Sequence, residues 1–208
     1  MRLANCLRKK FEVVPEFELR PITKSELRKY VKKMKGNRSA GIDMVDSYSL
    51  KLAAPILEDV LLHVINLSIT SSSYPSPRKT QLIHPFHKKA EKTDPGNYRP
   101  VSHIPELSKL EEYAVFDQVS SHFTLHGLFH PNHHGFLPGH NTTTALLQLY
   151  DLWLNSAEDK DLTAALFLDL SAAFDIVDHE ILIKKFRVYN FSGQQGANSP
   201  SSLQAKST

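Results

Sequence analysis

An α+β fold is what this sequence predicts, and three observations predict it. A capped stripe of apolar residues at helical spacing follows Thr23, two short β-type runs between Gln81 and Ile104 flank a polar loop from Lys88 to Asn97, and an apolar run from Thr163 ends abruptly in Asp169. The 208 residues suffice for one sizeable core or two small ones, and 41% hydrophobic with 23% charged residues is an ordinary globular composition. The single Cys6 excludes a disulfide framework and a thiolate metal cluster and suits a reducing compartment. No apolar run is read as approaching the roughly 20 residues that span a bilayer, so no membrane association is expected. The basic N-terminus has no apolar stretch behind it to make a secretory signal. Cytoplasm or nucleus is the expected compartment.

The elements follow in order. Residues 1–22 read as a lead-in. Thr23-Lys-Ser-Glu26 is a capping box, with Leu27, Tyr30, Val31 and Met34 spaced as one helical face and Gly36 as its stop. The other face carries Lys24, Arg28, Lys29, Lys32, Lys33 and Lys35. After the turn-rich piece Asn37 to Asp46, a longer helix is expected from about Ile56 to Ile69, burying Leu57, Val60, Leu61, Val64 and Ile65. Ser71 to Pro77 ends it. Gln81 to His87 reads as a strand that Pro85 confines to an edge or bend, and Tyr98 to Ile104 as its return. Leu107, Leu110, Ala114, Val115 and Val119 mark another helix. A further helix from Thr142 to Ala157 should turn Leu146, Leu149, Trp153 and Leu154 inward. The run before Asp169 reads as a buried strand, and Asp178 caps a last helix with Ile181, Leu182 and Phe186. From Tyr189 the periodicity stops, and residues 189–208 read as a disordered tail.

Charge is distributed unevenly. Residues 1–40 hold 12 basic and 4 acidic side chains and residues 78–109 hold 7 and 3, whereas residues 110–183 hold 1 and 11. A basic front suits an anionic partner, and an acidic rear suits cations or another protein; plain solvated faces are the competing account.

Several segments, taken together, resemble the reverse transcriptase domain of non-LTR (LINE-type) retrotransposons. They are Ser39-Ala-Gly41-Ile-Asp43, His84-Pro-Phe-His-Lys88-Lys89, Asp94-Pro-Gly-Asn97-Tyr98-Arg99-Pro100-Val-Ser102, Leu107-Ser-Lys109-Leu-Glu111, Gly135-Phe136-Leu-Pro-Gly139-His-Asn-Thr142-Thr143, and Phe167-Leu-Asp169-Leu-Ser171-Ala-Ala-Phe174-Asp175-Ile-Val-Asp178-His179. Each is weak alone; their common order, over roughly residues 11–187, is what carries the resemblance. It implies a right-hand polymerase: fingers over 23–104, then an incomplete palm over 105–188. It also implies Mg²⁺ as cofactor, with an RNA template, an RNA–DNA hybrid and a deoxynucleotide triphosphate as partners.

Nucleotidyl transfer by two metals needs carboxylates that place two ions roughly 3.5–4 Å apart, and Mg²⁺ favours oxygen ligands. The resemblance makes Asp169 the catalytic metal carboxylate, with Leu170 adding a backbone carbonyl. It puts Phe174 beneath the incoming sugar, where bulk rejects a 2′-hydroxyl; a core aromatic is the competing reading. Lys88, Lys89 and Arg99 would hold the triphosphate, Arg99 through its planar fork. Lys24, Arg28, Lys32 and Lys35 would suit template phosphates, although a solvated face is the plainer account of that helix. Asp175 and Asp178 are read as structural or capping.

The chain departs from the family in two ways within its own sequence. It has no Asp-Asp dipeptide, so the family's aromatic-x-Asp-Asp hairpin is not found and the palm is expected to be cut short before it; Leu137 stands where the family usually has Arg. A preceding endonuclease is likewise not found. The expectation is a truncated, inactive polymerase domain, and the alternative is a non-catalytic RNA or RNA–DNA hybrid binding module using the basic fingers. The His-rich stretch 122–140 offers a third idea, since His122 and His126 have the i, i+4 spacing of a shared metal, but no Cys or Glu completes a set.

Overall fold

The computed structural model describes residues 14–36, 40–89, 91–170, 173–174 and 176–192. It is a mixed α/β arrangement with one small two-stranded sheet among the described residues. Six α-helices are described: α1 (Lys24–Lys33), α2 (Ser47–Ser71), α3 (Ser76–Lys79), α4 (Glu106–Leu125), α5 (Thr142–Glu158) and α6 (His179–Val188). The strands are β1 (Leu82–His87) and β2 (Tyr98–His103). The chain divides into two compact units, residues 1–121 with 177–208, and residues 122–176.

The first unit is built on helix α1. Its capping box forms as the sequence indicates: the Glu26 amide donates to Thr23 Oγ1 at 3.2 Å, and the Thr23 amide donates to Glu26 Oε2 at 2.8 Å. The Arg20 guanidinium also donates to this carboxylate, and that bond, against some desolvation, holds the Glu26 carboxyl down at about 2. The helix ends at Lys33, before Gly36, because Met34 already leaves helical backbone. Leu27, Tyr30 and Met34 are buried together with Ile22, and Val31 is packed against them.

Helix α2 starts nine residues earlier than its apolar stripe suggests, at Ser47 rather than Ile56. Asp46 is the reason: its side chain accepts the Ser49 amide at 2.6 Å and caps a first turn that turns Leu50 and Ala54 into the core. Pro55 is tolerated inside the helix, where it removes one hydrogen bond, because it lies on the exposed side. The buried apolar residues are Leu50, Ala54, Leu61, Ile65 and Ile69, so Leu57 and Val60 of the expected stripe face outward and Val64 is half-buried. By length and composition α2 is also the one helix among the described residues that could cross a membrane, which the sequence reading did not anticipate. Its inner face is the centre of this unit's core, with α1 and with Leu110 and Ala114 of α4.

A buried ion pair ties α2, α3 and α4 together. Glu111 Oε2 accepts from Arg78 Nη1, and its other oxygen accepts from the Ser68 hydroxyl, both at 2.5 Å. Burial raises the Glu111 carboxyl even against these donors. Gly41 lies where a Cβ would meet the Pro105 nitrogen at 2.9 Å, so the loop before α2 can close on the start of α4 only through glycine. Ser39 of the same motif lies outside the described residues.

The two strands pair antiparallel, with Pro85 opposite Pro100 and Phe86 opposite Arg99. One step beyond, the Lys88 amide donates to the Asn97 carbonyl at 2.7 Å. Hydrogen-bonded pairs therefore fall at Lys88/Asn97, Phe86/Arg99 and His84/Val101, and the two prolines share a non-bonded pair where neither ladder loses a donor.

The chain returns to its lead-in after α6, which Asp178 caps by accepting the Ile181 amide at 3.0 Å. Phe191 bridges to Phe17, and the two rings lie 4.5 Å apart between centroids, with Phe186 on Phe191 at 4.8 Å. Tyr189 to Ser192 are thus placed by backbone and ring contacts, which corrects the expected start of the tail; residues 193–208 lie outside the described ones.

In the second unit, α5 is capped by Asn141, which accepts the Thr144 amide at 2.9 Å. None of its residues is buried, contrary to the inward stripe expected for Leu146, Leu149, Trp153 and Leu154. The reason is what faces it within the unit: His134 bonds Thr144 and Gln148, and Gln148 bonds Asn132, a polar turn rather than a sheet. The strand expected before Asp169 does not form either. Residues 161–170 have no regular structure, and Leu166, Phe167 and Leu168 are each more than three-quarters exposed. A strand needs a ladder partner and an apolar surface beneath it, and the only ladder among the described residues is that of β1 and β2.

Candidate functional site

Asp169 follows the unpaired apolar run and is exposed, with Leu170 exposed beside it. Phe174 meets Phe136 edge-on, with ring centroids 6.1 Å apart, and is itself 68% exposed, so it is not a core aromatic of its unit. Ser171 and Asp175 lie outside the described residues. Among the described residues no group of three or more His, Cys, Asp or Glu side chains comes together that could hold a metal ion. Reverse transcriptases in general use a divalent metal. Among the described residues here, the Asp169 carboxylate and the Leu170 carbonyl are oxygen donors of the kind Mg²⁺ favours.

The hairpin is better organised. Asp94 accepts the Gly96 amide at 2.8 Å, Asn97 Nδ2 donates to the Glu91 carbonyl at 2.9 Å, and the Tyr98 hydroxyl donates to the Lys92 carbonyl at 2.9 Å. These bonds fold the connection back on itself, so β2 starts at Tyr98 and Arg99 lands opposite Phe86. Alternation then puts Arg99, Phe86, His84 and Val101 on one face of the hairpin. His84 and His103 lie diagonally on this face with ring centroids 4.9 Å apart. Lys88 and Lys89 follow directly at the open end of β1, and both are exposed. Among the described residues none of Lys88, Lys89 and Arg99 is in an ion pair.

The basic helix is arranged differently. Lys24 pairs with Asp59 at 2.5 Å, and Arg28 places its fork on Glu58 at 2.7 and 2.9 Å. Lys29 and Lys33 share Asp117 of α4 at 2.6 and 3.3 Å. Burial pushes the Asp117 carboxyl up, but the two lysines outweigh it and leave it below its usual range. Burial, then the charge of Asp117, raises the Tyr30 phenol to about 12. Four of the helix's cations therefore fasten α1 to α2 and α4. Lys32 and Lys35 are in no ion pair among the described residues, and Lys32, Lys51 and Arg28 rim a cavity of about 380 Å³ floored by Leu27, Val31, Ala54 and Pro55. The acids that answer the basic helix went unnoticed in the sequence, although Glu58-Asp59 stands out as the acidic pair of an otherwise apolar stretch.

The histidines of the 122–140 stretch are distributed rather than gathered. His122 and His126 do meet, with ring centroids 4.7 Å apart, and burial followed by the neighbouring His126 lowers the His122 imidazole. His134 is committed to Thr144 and Gln148, and His133 stacks on Phe129 at 5.8 Å.

Comparison with known proteins supplies the frame for this site. The family described as reverse transcriptase (RNA-dependent DNA polymerase) matches residues 87–203, a span that contains both β2 and Asp169. The "Probable RNA-directed DNA polymerase from transposon BS" of Drosophila melanogaster is 30% identical over 171 residues, which is 81% of this chain and 19% of that protein. The corresponding protein from transposon X-element of the same fly is 26% identical over 165 residues, 79% of this chain and 18% of its own length. The RNA-directed DNA polymerase from mobile element jockey of Drosophila funebris is 26% identical over 166 residues, 79% of this chain and 18% of its own. The chain thus spans about a fifth of the length of the curated relatives it matches. It belongs to the reverse transcriptase (RNA-dependent DNA polymerase) family, among the relatives carried by non-LTR retrotransposons.

Proposed function

We propose that this chain supplies the nucleotide-facing part of an RNA-directed DNA polymerase of the non-LTR type, with fingers over residues 23–104 and the first part of a palm over residues 105–188. The observation that supports this most is the exposed cationic end of the hairpin, within one family match that also reaches Asp169. In this reading Arg99 meets two oxygens of the triphosphate, and Lys88 and Lys89 add point charges. Phe174 lies beneath the sugar. Asp169 is one of the metal carboxylates, with the Leu170 carbonyl beside it. Lys32 and Lys35 contact template phosphates more strongly than Lys24 and Arg28, whose charge is already answered by Asp59 and Glu58.

One carboxylate cannot hold two divalent ions, and this sequence contains no Asp-Asp dipeptide to provide the rest. The chain by itself is therefore expected to make no product on a primed RNA template with Mg²⁺ or Mn²⁺. Primer extension that depends on Asp169, and disappears in Asp169→Ala, would overturn that expectation. Binding tests the other half. Deoxynucleotide triphosphate and RNA–DNA hybrid should bind with an affinity that falls as salt rises, and Arg99→Ala should weaken triphosphate binding more than Lys24→Ala. Equal effects from the two substitutions would remove the hairpin from the site.

A further inference from the structure

Helix α2 is apolar on both sides. Its inner face, through Leu50, Ala54, Leu61, Ile65 and Ile69, forms the core. On the opposite side Tyr48, Leu52, Ile56, Val60 and Leu67 form a second stripe, and all five are exposed, Ile56 to 86% and Leu52 to 71%. Met44 and Val45, just before the helix, are exposed as well. A helix that is hydrophobic all round is normally covered on all sides. The exposed apolar run at residues 162–170 lies outside regular structure, whereas this stripe sits on a helix fixed by the core behind it.

We infer that the outer stripe of α2 is a self-association surface, on which a second copy of this chain packs its own α2 antiparallel about Ile56. Three observations select that occupant. The spacing along the helix is palindromic: residues 52 and 60 lie four on either side of Ile56, and 48 and 64 eight. An antiparallel twofold therefore sets Leu52 beside Val60 and Tyr48 beside the half-buried Val64, as an isologous contact requires. The exposed parts of these residues with Met44 and Val45 come to roughly 800 Å², the scale of what one partner contributes to a standard interface. Finally, the one acidic residue on that side, Asp59, already has a partner in Lys24 at 2.5 Å, which leaves the exposed His63 as the other polar side chain the contact has to accommodate. Antiparallel packing at a shallow crossing angle is an ordinary geometry for two such helices.

The test uses the full 208-residue chain. Sedimentation across a concentration series should show a monomer–dimer equilibrium, and Ile56→Asp should weaken it by about 30-fold or more, as loss of a central interface residue does. Circular dichroism of that variant should keep its helix content, because Ile56 makes no part of the core. If Ile56→Asp fails to fold, Ile56→Ser serves the same purpose. Orientation is read by cysteine cross-linking in a Cys6→Ser background. A mixture of Leu52→Cys and Val60→Cys chains should oxidise to the mixed dimer, and each variant alone should cross-link much less. A chain that stays monomeric at all concentrations would overturn the proposal. So would a dimer indifferent to Ile56→Asp, equal cross-linking of like and unlike cysteines, or binding of α2 to phosphatidylcholine vesicles in place of dimerisation.

Discussion

Helix α2 and the run before Asp169 are both strongly apolar, yet one is the centre of a core and the other has no regular structure. The difference lies in where their partners come from. A helix satisfies its backbone within itself and needs only side-chain neighbours, which α1 and α4 supply to α2. A strand satisfies nothing alone. Residues 163–168 have the composition of a buried strand, but no described neighbour offers them a ladder. Apolar composition specifies burial; the partner decides whether burial happens.

Hydrogen exchange is the sharpest way to break this contrast. Amides at residues 163–169 should exchange close to the rate of an unfolded chain, while those near Leu61 and Ile65 should be slower by several orders of magnitude. Comparable protection in the two regions would show that the Asp169 run has found a partner. Substitution should separate them next. Arg78→Ala leaves Glu111 buried without its ion partner and should cost about 3–5 kcal/mol near neutral pH by urea denaturation. Because burial raises the Glu111 carboxyl, that cost should shrink as pH falls and the group takes up its proton. A cost independent of pH would mean that Glu111 is not the stranded group. Ile65→Ala, at a fully buried position, should cost about 2–5 kcal/mol. The same deletion at Leu166 should stay within about 0.5 kcal/mol. Asn141→Ala should remove about 1 kcal/mol of α5 stability, visible as reduced helicity.

The smallest effect concerns Glu26. Its carboxyl lies at about 2 when folded, below its ordinary value. The stabilisation it gives is therefore complete above the unfolded carboxylate range and is lost as pH falls toward 2. Arg20 is more than half exposed, so the effect should be under about 1 kcal/mol, and salt should reduce it. Glu26→Gln should flatten that part of the stability profile.

What could be read from the sequence follows the same division. The Thr23 box, the Asp178 cap and the two hairpin strands are local, written in residues a few positions apart, and each forms where the sequence puts it. The start of α2 departs from Ile56 because the apolar stripe alone does not mark it, while the signal that matters is the Asp46 cap ten residues before Ile56. The α5 stripe and the Asp169 strand were misjudged because their amphipathic patterns name a burial that needs distant partners. At the candidate site, the order of motifs pointed to the hairpin cations and to Asp169. The pairing of Lys24 and Arg28 with Glu58 and Asp59 could not be read, since it depends on how two helices cross.

The paired prolines of the hairpin act as a parity check. A shift of one strand by a single residue would force either Pro85 or Pro100 into a hydrogen-bonding position, where the missing N–H leaves an acceptor unanswered. Odd slips are the ones that exchange the two faces of a hairpin. Two residues that donate nothing therefore guard which side Arg99 occupies, and errors of register that would turn it away are rejected before any ligand arrives.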